Sequence, residues 1–357
     1  PPRSTLFPYT TLFRSYVYLG SPTGLSTSAA WHKEADQAGA NFGLAVSTAG
    51  DVNGDGFADV IVGAPFWEST AAQADEGGIW VYHGSSTSGL STVPNGHAES
   101  NQAGALLGIS VSTAGNVNGD AYSDVIAGAS FYDNGQTDEG IAWVWHGSAT
   151  GIGTGTTPNW RAESNQANAH FGNSVSFAGD VNADTYSDVI IGAPEYDHGQ
   201  SNEGMAFVWH GSANGVNNNV NGNPTNMAWT TESNQVSALL GVDVNTAGDV
   251  NGDGYADVIV GAPYYANGQV DEGATWVFHG SAVGLAASAA TQDEGNQVGA
   301  RFGTSVSSAG DVNGDGYADV IIAAPYYTNG ESGEGRVWLW QGSSSGLSSS
   351  HDWRAEG

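Results

Sequence analysis

Apolar residues along this chain come in short runs and not at helical spacing. The run Asp59-Val-Ile-Val-Gly-Ala-Pro65 is typical: a β-branched core closed by Gly and Pro, which reads as a strand. Its apolar stretch is continuous and not alternating, so both faces of its sheet should be covered. Upstream, Leu44 to Gly50 is a run of small residues, suited to an inner strand crowded around an axis. Downstream, Gly78-Ile-Trp-Val-Tyr-His-Gly84 reads as an aromatic-rich third strand, and Gly96 to Glu99 as a weaker fourth. No segment carries a convincing helical period. The unit returns with starts near residues 42, 107, 171, 240 and 302, so the chain is an array of one module.

Four short strands per unit, each sheet covered on both faces by its neighbours, predict an all-β fold: a β-propeller of four-stranded antiparallel blades. Each unit opens with Phe-Gly or Leu-Gly: Phe42-Gly43, Leu107-Gly108, Phe171-Gly172, Leu240-Gly241 and Phe302-Gly303. Gly63-Ala-Pro65, Gly192-Ala-Pro194 and Gly261-Ala-Pro263 follow about 20 residues later. Gly128-Ala-Ser130 and Ala323-Ala-Pro325 depart by one residue each. The pattern resembles the FG-GAP repeat of integrin α-subunit propellers, over residues 16–357. The resemblance implies seven blades, of which this chain supplies five full repeats and a partial N-terminal one.

An acidic, Gly-rich loop joins the first two strands of every repeat, with oxygen-bearing side chains at its positions 1, 3, 5 and 9. Repeated oxygen donors on a tight turn suit a hard divalent cation. The expected ligands of the first loop are Asp51, Asn53, Asp55, the carbonyl of Phe57, and Asp59. The second offers Asn116, Asn118, Asp120, Tyr122 and Asp124; the third Asp180, Asn182, Asp184, Tyr186 and Asp188. The fourth offers Asp249, Asn251, Asp253, Tyr255 and Asp257; the fifth Asp311, Asn313, Asp315, Tyr317 and Asp319. Two unit charges 4 Å apart at an effective dielectric near 20 repel by about 4 kcal/mol, so an ion-free loop should tend to open. EF-hand and dockerin loops open alike but need an acid at position 12. That position is Val62, Ala127, Ile191, Val260 and Ile322 here. An all-protein oxygen cage favours Ca2+ over Mg2+. Asn116 and Ala121 in the second loop, and Ala183 and Thr185 in the third, replace preferred residues, so loops 116–124 and 180–188 should be the weakest sites.

Charge narrows the partners. The formal net charge is −30, with 7 Lys and Arg against 37 Asp and Glu, a balance that repels nucleic acid and anionic lipid. Five divalent ions would offset a third of it. Cysteine is absent, which removes thiol-based zinc and redox chemistry. Apolar runs are strand-sized, so no membrane span is expected. Residues 1–15 match no part of the repeat and resemble a translated sequencing adapter; they are set aside as non-native.

Other candidates are weaker. His83, His146, His210 and His279 follow successive third strands; equivalent positions around a ring cannot meet at one metal, so they read as turn residues. Trp67, Tyr132, Tyr196, Tyr265 and Tyr327, with Glu76, Glu139, Glu203, Glu272 and Glu334 behind them, form a candidate ligand face or a set of packing residues. No nucleophile elbow, phosphate loop or assignable carboxylate dyad is present. The expected function is a non-enzymatic, calcium-stabilised module, secreted or on a bacterial cell surface. It would bind an extracellular protein or polysaccharide through one face. The alternatives are the propeller part of a secreted lyase, phospholipase or glycoside hydrolase, and a lectin-like propeller.

Overall fold

The computed structural model describes residues 13–86, 89–155 and 157–357. Most of the segment set aside as foreign, residues 1–12, lies outside them. The first strand, Arg14–Val17, begins two residues inside that segment and pairs antiparallel with Trp31–Glu34 as a two-stranded sheet.

Five four-stranded antiparallel sheets follow in simple up-and-down order; in the first, the short hairpin Gly84–Ser85 with Gly89–Leu90 intervenes between the third and fourth strands. In the first, Val46–Gly50, Asp59–Ala64, Gly78–Tyr82 and Gly96–Glu99 take the four places. The fourth strand coincides with the sequence expectation residue for residue; the others end one or two residues earlier or start later. A four-residue 3-10 turn at Val216–Asn219 is the one helical element among the described residues.

The cores lie between sheets. One cluster joins Val117, Ile126, Val144 and Trp160 of the second blade to Phe171, Val189, Ile191 and Phe207 of the third, all buried. Equivalent clusters join first to second, third to fourth and fourth to fifth. First strands of successive sheets lie side by side, as inner strands of adjacent propeller blades must. They are tied by side chains: Val244 N–H donates to Ser174 Oγ at 3.1 Å, Ser174 Oγ donates to Asp243 at 3.0 Å, and Val306 N–H donates to Asp243 at 2.8 Å. Asp243 thus links three blades, and burial raises its pKa against those hydrogen bonds.

The Phe-Gly and Gly-Ala-Pro signatures meet across blade boundaries. A Cβ on Gly63 would stand 2.0 Å from the carbonyl oxygen of Gly108, and one on Gly192 2.0 Å from that of Gly241. The backbones touch, so neither partner tolerates a side chain.

Candidate functional site

Each first strand ends in a β-bulge, between Thr48 and Gly50 in the first blade, which re-aims the chain into the acidic loop. Position 1 organises that loop. Asp51 accepts N–H bonds from Gly54 at 2.7 Å, Asp55 at 3.1 Å and Gly56 at 2.8 Å. Asn53 Oδ1 accepts from the same Asp55 N–H at 3.0 Å, and Asp55 Oδ1 accepts from Phe57 N–H at 3.0 Å. Side chains at 1, 3 and 5 therefore gather on one short arc. The fourth and fifth loops repeat these bonds through Asp249 and Asp311.

Position 9 does something the sequence did not disclose. Asp59 is fully buried and accepts N–H bonds from Val52 and from Gly84, both at 2.8 Å. Asp124, Asp188, Asp257 and Asp319 make the same pair of bonds in their blades. This acid clamps the loop to the end of the third strand. Among the described residues no three Asp, Glu or His side chains form a ready-made metal cage. The loops present positions 1, 3 and 5, with the carbonyl at 7 supplied by Phe57, Tyr122, Tyr186, Tyr255 and Tyr317; position 9 is held behind them.

The donor set nevertheless fits a hard cation. Burial pushes Asp124, Asp188 and Asp257 up to about 7, opposed by the two backbone N–H donors. The negative charges at loop position 5, and at position 1 in the third and fourth loops, push in the same direction. Excess negative charge beside a buried carboxylate is what a divalent ion would relieve. Each oxygen at position 9 also retains a lone pair after accepting one N–H.

The two degenerate loops differ physically. Ala121 does not take the left-handed backbone that Gly56, Gly254 and Gly316 adopt at that place. The second loop accordingly turns its Asn116 amide onto the Asp120 carbonyl at 2.6 Å, and Asn116 Oδ1 is buried without a partner. The third loop keeps the standard path at the cost of two non-glycine residues at positive φ, Ala183 at 55° and Thr185 at 79°. A β-branched residue there is strained.

The loops also hold blade to blade. Ser123 N–H donates to the Asp51 carbonyl at 2.9 Å while Ser123 Oγ accepts from Asp51 N–H at 3.1 Å. Ser148 N–H of the next blade's Ser-x-x-Gly turn donates to the Val52 carbonyl at 3.0 Å. Sequence reasoning left the histidines as turn residues, and they do not converge. Two of them do, however, reach the loops: Asn53 Nδ2 lies 3.1 Å from His83 Nδ1, and Asn182 Nδ2 3.2 Å from His210 Nδ1. Donation by the amide nitrogen leaves Asn Oδ1 facing the loop. Burial lowers the pKa of His210, favouring the neutral ring that such an acceptor must be, and lowers those of His146 and His279 as well. The recurring His-Gly-Ser after the third strand was the available signal.

The candidate ligand-face aromatics are placed differently from a free ring of side chains. Trp67, Tyr132, Tyr196, Tyr265 and Tyr327 are half-buried and meet Trp80, Trp143, Phe207, Trp276 and Trp338 edge-on, with centroids 5.1–5.5 Å apart. They are packing residues of their own blades. The acids behind them are structural as well. Glu76, Glu139, Glu203 and Glu272 are fully buried, and each braces the preceding loop by accepting an N–H from Ser69, Asn134, His198 or Asn267 at 2.6–2.7 Å. The residue one place earlier, Phe131, Glu195, Tyr264 or Tyr326, is the one that faces the mouth of the array.

The family match and the sequence relatives agree with this architecture. The FG-GAP repeat family matches residues 42–82, 107–145, 171–209, 237–278 and 302–340, more than half of the chain. Integrin alpha-3 of Cricetulus griseus is 30% identical over 190 residues, covering 53% of this chain and 16% of that protein. Integrin alpha-PS2 of Drosophila melanogaster is 35% identical over 170 residues, covering 44% and 12%. Integrin alpha-IIb of Mus musculus is 42% identical over 120 residues, covering 32% and 11%. The chain thus spans well under a fifth of the length of these relatives. Among solved structures, an exotype rhamnogalacturonan lyase aligns over 84% of this chain and 62% of its own, at 12% identity and a TM-score of 0.36. Five family matches, each spanning the acidic loop and the first three strands of one blade, establish that this chain belongs to the FG-GAP repeat family.

Proposed function

We propose that this chain is a calcium-stabilised extracellular recognition or adhesion module, non-catalytic in itself, that binds a protein or polysaccharide through the face opposite its acidic loops. One observation carries the reading. In the first, fourth and fifth loops a single carboxylate at position 1 gathers three backbone N–H groups, while the same loop is hydrogen-bonded to the next blade where one follows. A cation held there would neutralise crowded carboxylates and fasten a blade boundary together. The kinship with integrin α subunits supports a role in recognition outside the cell. The Lys and Arg deficit argues against polyanionic partners such as nucleic acid. No helix among the described residues is long and apolar enough to cross a membrane.

Occupancy at tenfold excess over Kd adds about 1.4 kcal/mol per site, so five sites would contribute about 7 kcal/mol, comparable with the ~5–15 kcal/mol net stability of a whole domain. Thermal melting with excess Ca2+ and with excess chelator tests this. A fall of many degrees on chelation is expected; coincident melts would refute the reading.

A further inference from the structure

The acidic loops join first to second strands, so the second-to-third loops and the connections between blades emerge at the other end of the sheets. There they enclose a pocket of about 410 Å3 shared by the second to fifth blades. Its chemistry-bearing walls are Phe131, His170, Glu195, Tyr264, Arg301 and Tyr326.

Arg301 is the one basic residue of that wall. It is one of only 7 basic residues in a chain of net charge −30, yet no carboxylate among the described residues pairs with it. Two other arginines, Arg14 and Arg336, are each matched with a glutamate. The Arg301 guanidinium instead lies between two phenol rings, 4.6 Å from the centroids of both Tyr264 and Tyr326. That sandwich fixes its orientation without using its N–H groups on an acid. Glu195, the one acid of the pocket wall, is engaged by His170 Nδ1 at 3.3 Å.

The backbone points the same way. Arg301 precedes the Phe-Gly signature, and Asn41, Leu106, His170 and Leu239 hold the same place in the other repeats. All five adopt left-handed backbone, with φ between 50° and 60°. Glycine would fill that conformation without strain, yet every repeat keeps a side chain there. Three of those side chains, His170, Leu239 and Arg301, line the pocket.

We propose that this pocket binds one carboxylate-bearing sugar residue, the terminal acidic unit of a glycan, with the Arg301 guanidinium taking the carboxylate. A single fixed fork serves a single carboxylate bidentately. The net charge of −30 disfavours a long polyanion at range, so the acid is a terminal unit and not a repeated one. Phe131, 37% exposed, offers an apolar ring face, and the Glu195–His170 pair with the tyrosine hydroxyls offers partners for sugar hydroxyls. The inference rests on the recognition-module reading and names the ligand class of its face.

The test is ligand-observed NMR titration of the whole chain in saturating Ca2+, with sodium glucuronate, methyl glucoside and acetyl-dialanine as probes. Glucuronate should bind, and the uncharged glucoside at least about tenfold more weakly. R301Q should weaken glucuronate by about tenfold or more, as expected for loss of a charge-assisted pair, and leave the glucoside unchanged. Y326L, which frees one face of the guanidinium, should give a smaller loss and serves if R301Q fails to fold. Absence of glucuronate binding, an R301Q affinity equal to the parent's, or preference for the peptide carboxylate would overturn the proposal. Melts with and without Ca2+ on the same samples separate the two failures. A Ca2+-dependent rise without glucuronate binding ends only this inference, whereas no rise ends the module reading beneath it.

Discussion

Replacing Gly192 with alanine tests how the repeat signature works. The position is extended and not left-handed, so alanine has no backbone objection to it. The obstacle is the neighbouring blade. The added Cβ would stand 2.0 Å from the Gly241 carbonyl oxygen, 2.9 Å from its carbon and 3.1 Å from its Cα. Unstrained non-bonded contacts lie near 3.5 Å, so the two backbones must part by about 1.5 Å. All three obstructing atoms are backbone, and Gly241 is itself tied through its N–H to the Gly261 carbonyl at 2.9 Å. Overpacking of this kind costs about 1–3 kcal/mol, and a weakened hydrogen bond about 1 kcal/mol more. The sum is roughly 2–4 kcal/mol, or about 3–6 °C for an array of this size melting as one unit. The chain provides its own control. Ala323 occupies the equivalent place in the last blade, where no described blade follows, so Ala323→Gly should change the melt by no more than about 1 °C. Differential scanning calorimetry in saturating Ca2+ measures both. A Gly192→Ala melt within a degree of the parent would refute the claim that these glycines exist for contact between blades.

Thr185→Gly should stabilise the protein by about 1 kcal/mol, because a threonine held at φ 79° is relieved; chemical denaturation checks it, and a loss of stability would contradict the strain argument. Asp257→Asn leaves only one oxygen for the N–H groups of Val250 and Gly280 and sets an NH2 group against the other. It should destabilise by about 2–4 kcal/mol in calorimetry. Asp293 gives a pH signature: burial, then Glu294, push it up to about 6, above its unfolded value near 3.9. The folded state therefore holds the proton more tightly, and the stability linked to this group is full below pH 4 and lost as pH rises to about 6. Asp293→Asn should raise the melting temperature at pH 7 and leave it unchanged at pH 3.5; equal shifts at both would exclude the linkage.

Periodicity and turn chemistry made the fold legible, since Asp59–Ala64 and Gly96–Glu99 are strands for reasons local to their residues. The acidic loops were legible because Gly at positions 4 and 6 and oxygens at 1, 3 and 5 are short-range features. What lay hidden was set by neighbours in space. Asp59 reads from sequence only as a ligand, and its second task appears when the end of the third strand brings Gly84 N–H onto it. Phe66 and Trp67 are adjacent aromatics, and only the turn closed by Trp67 N–H on the Ala64 carbonyl at 3.1 Å decides which one packs inward. The pairing of Gly63 with Gly108 and the sandwich around Arg301 each join different blades, and nothing in a single repeat announces them.

The central claim is that these loops hold calcium and thereby fasten adjoining blades. Calcium bound per chain, counted by equilibrium dialysis of chelator-stripped protein at neutral pH, addresses it directly. Three tight sites, from loops 51–59, 249–257 and 311–319, with two weaker ones at 116–124 and 180–188, are the predicted result. Stripped protein that takes up no calcium at millimolar concentration would contradict it.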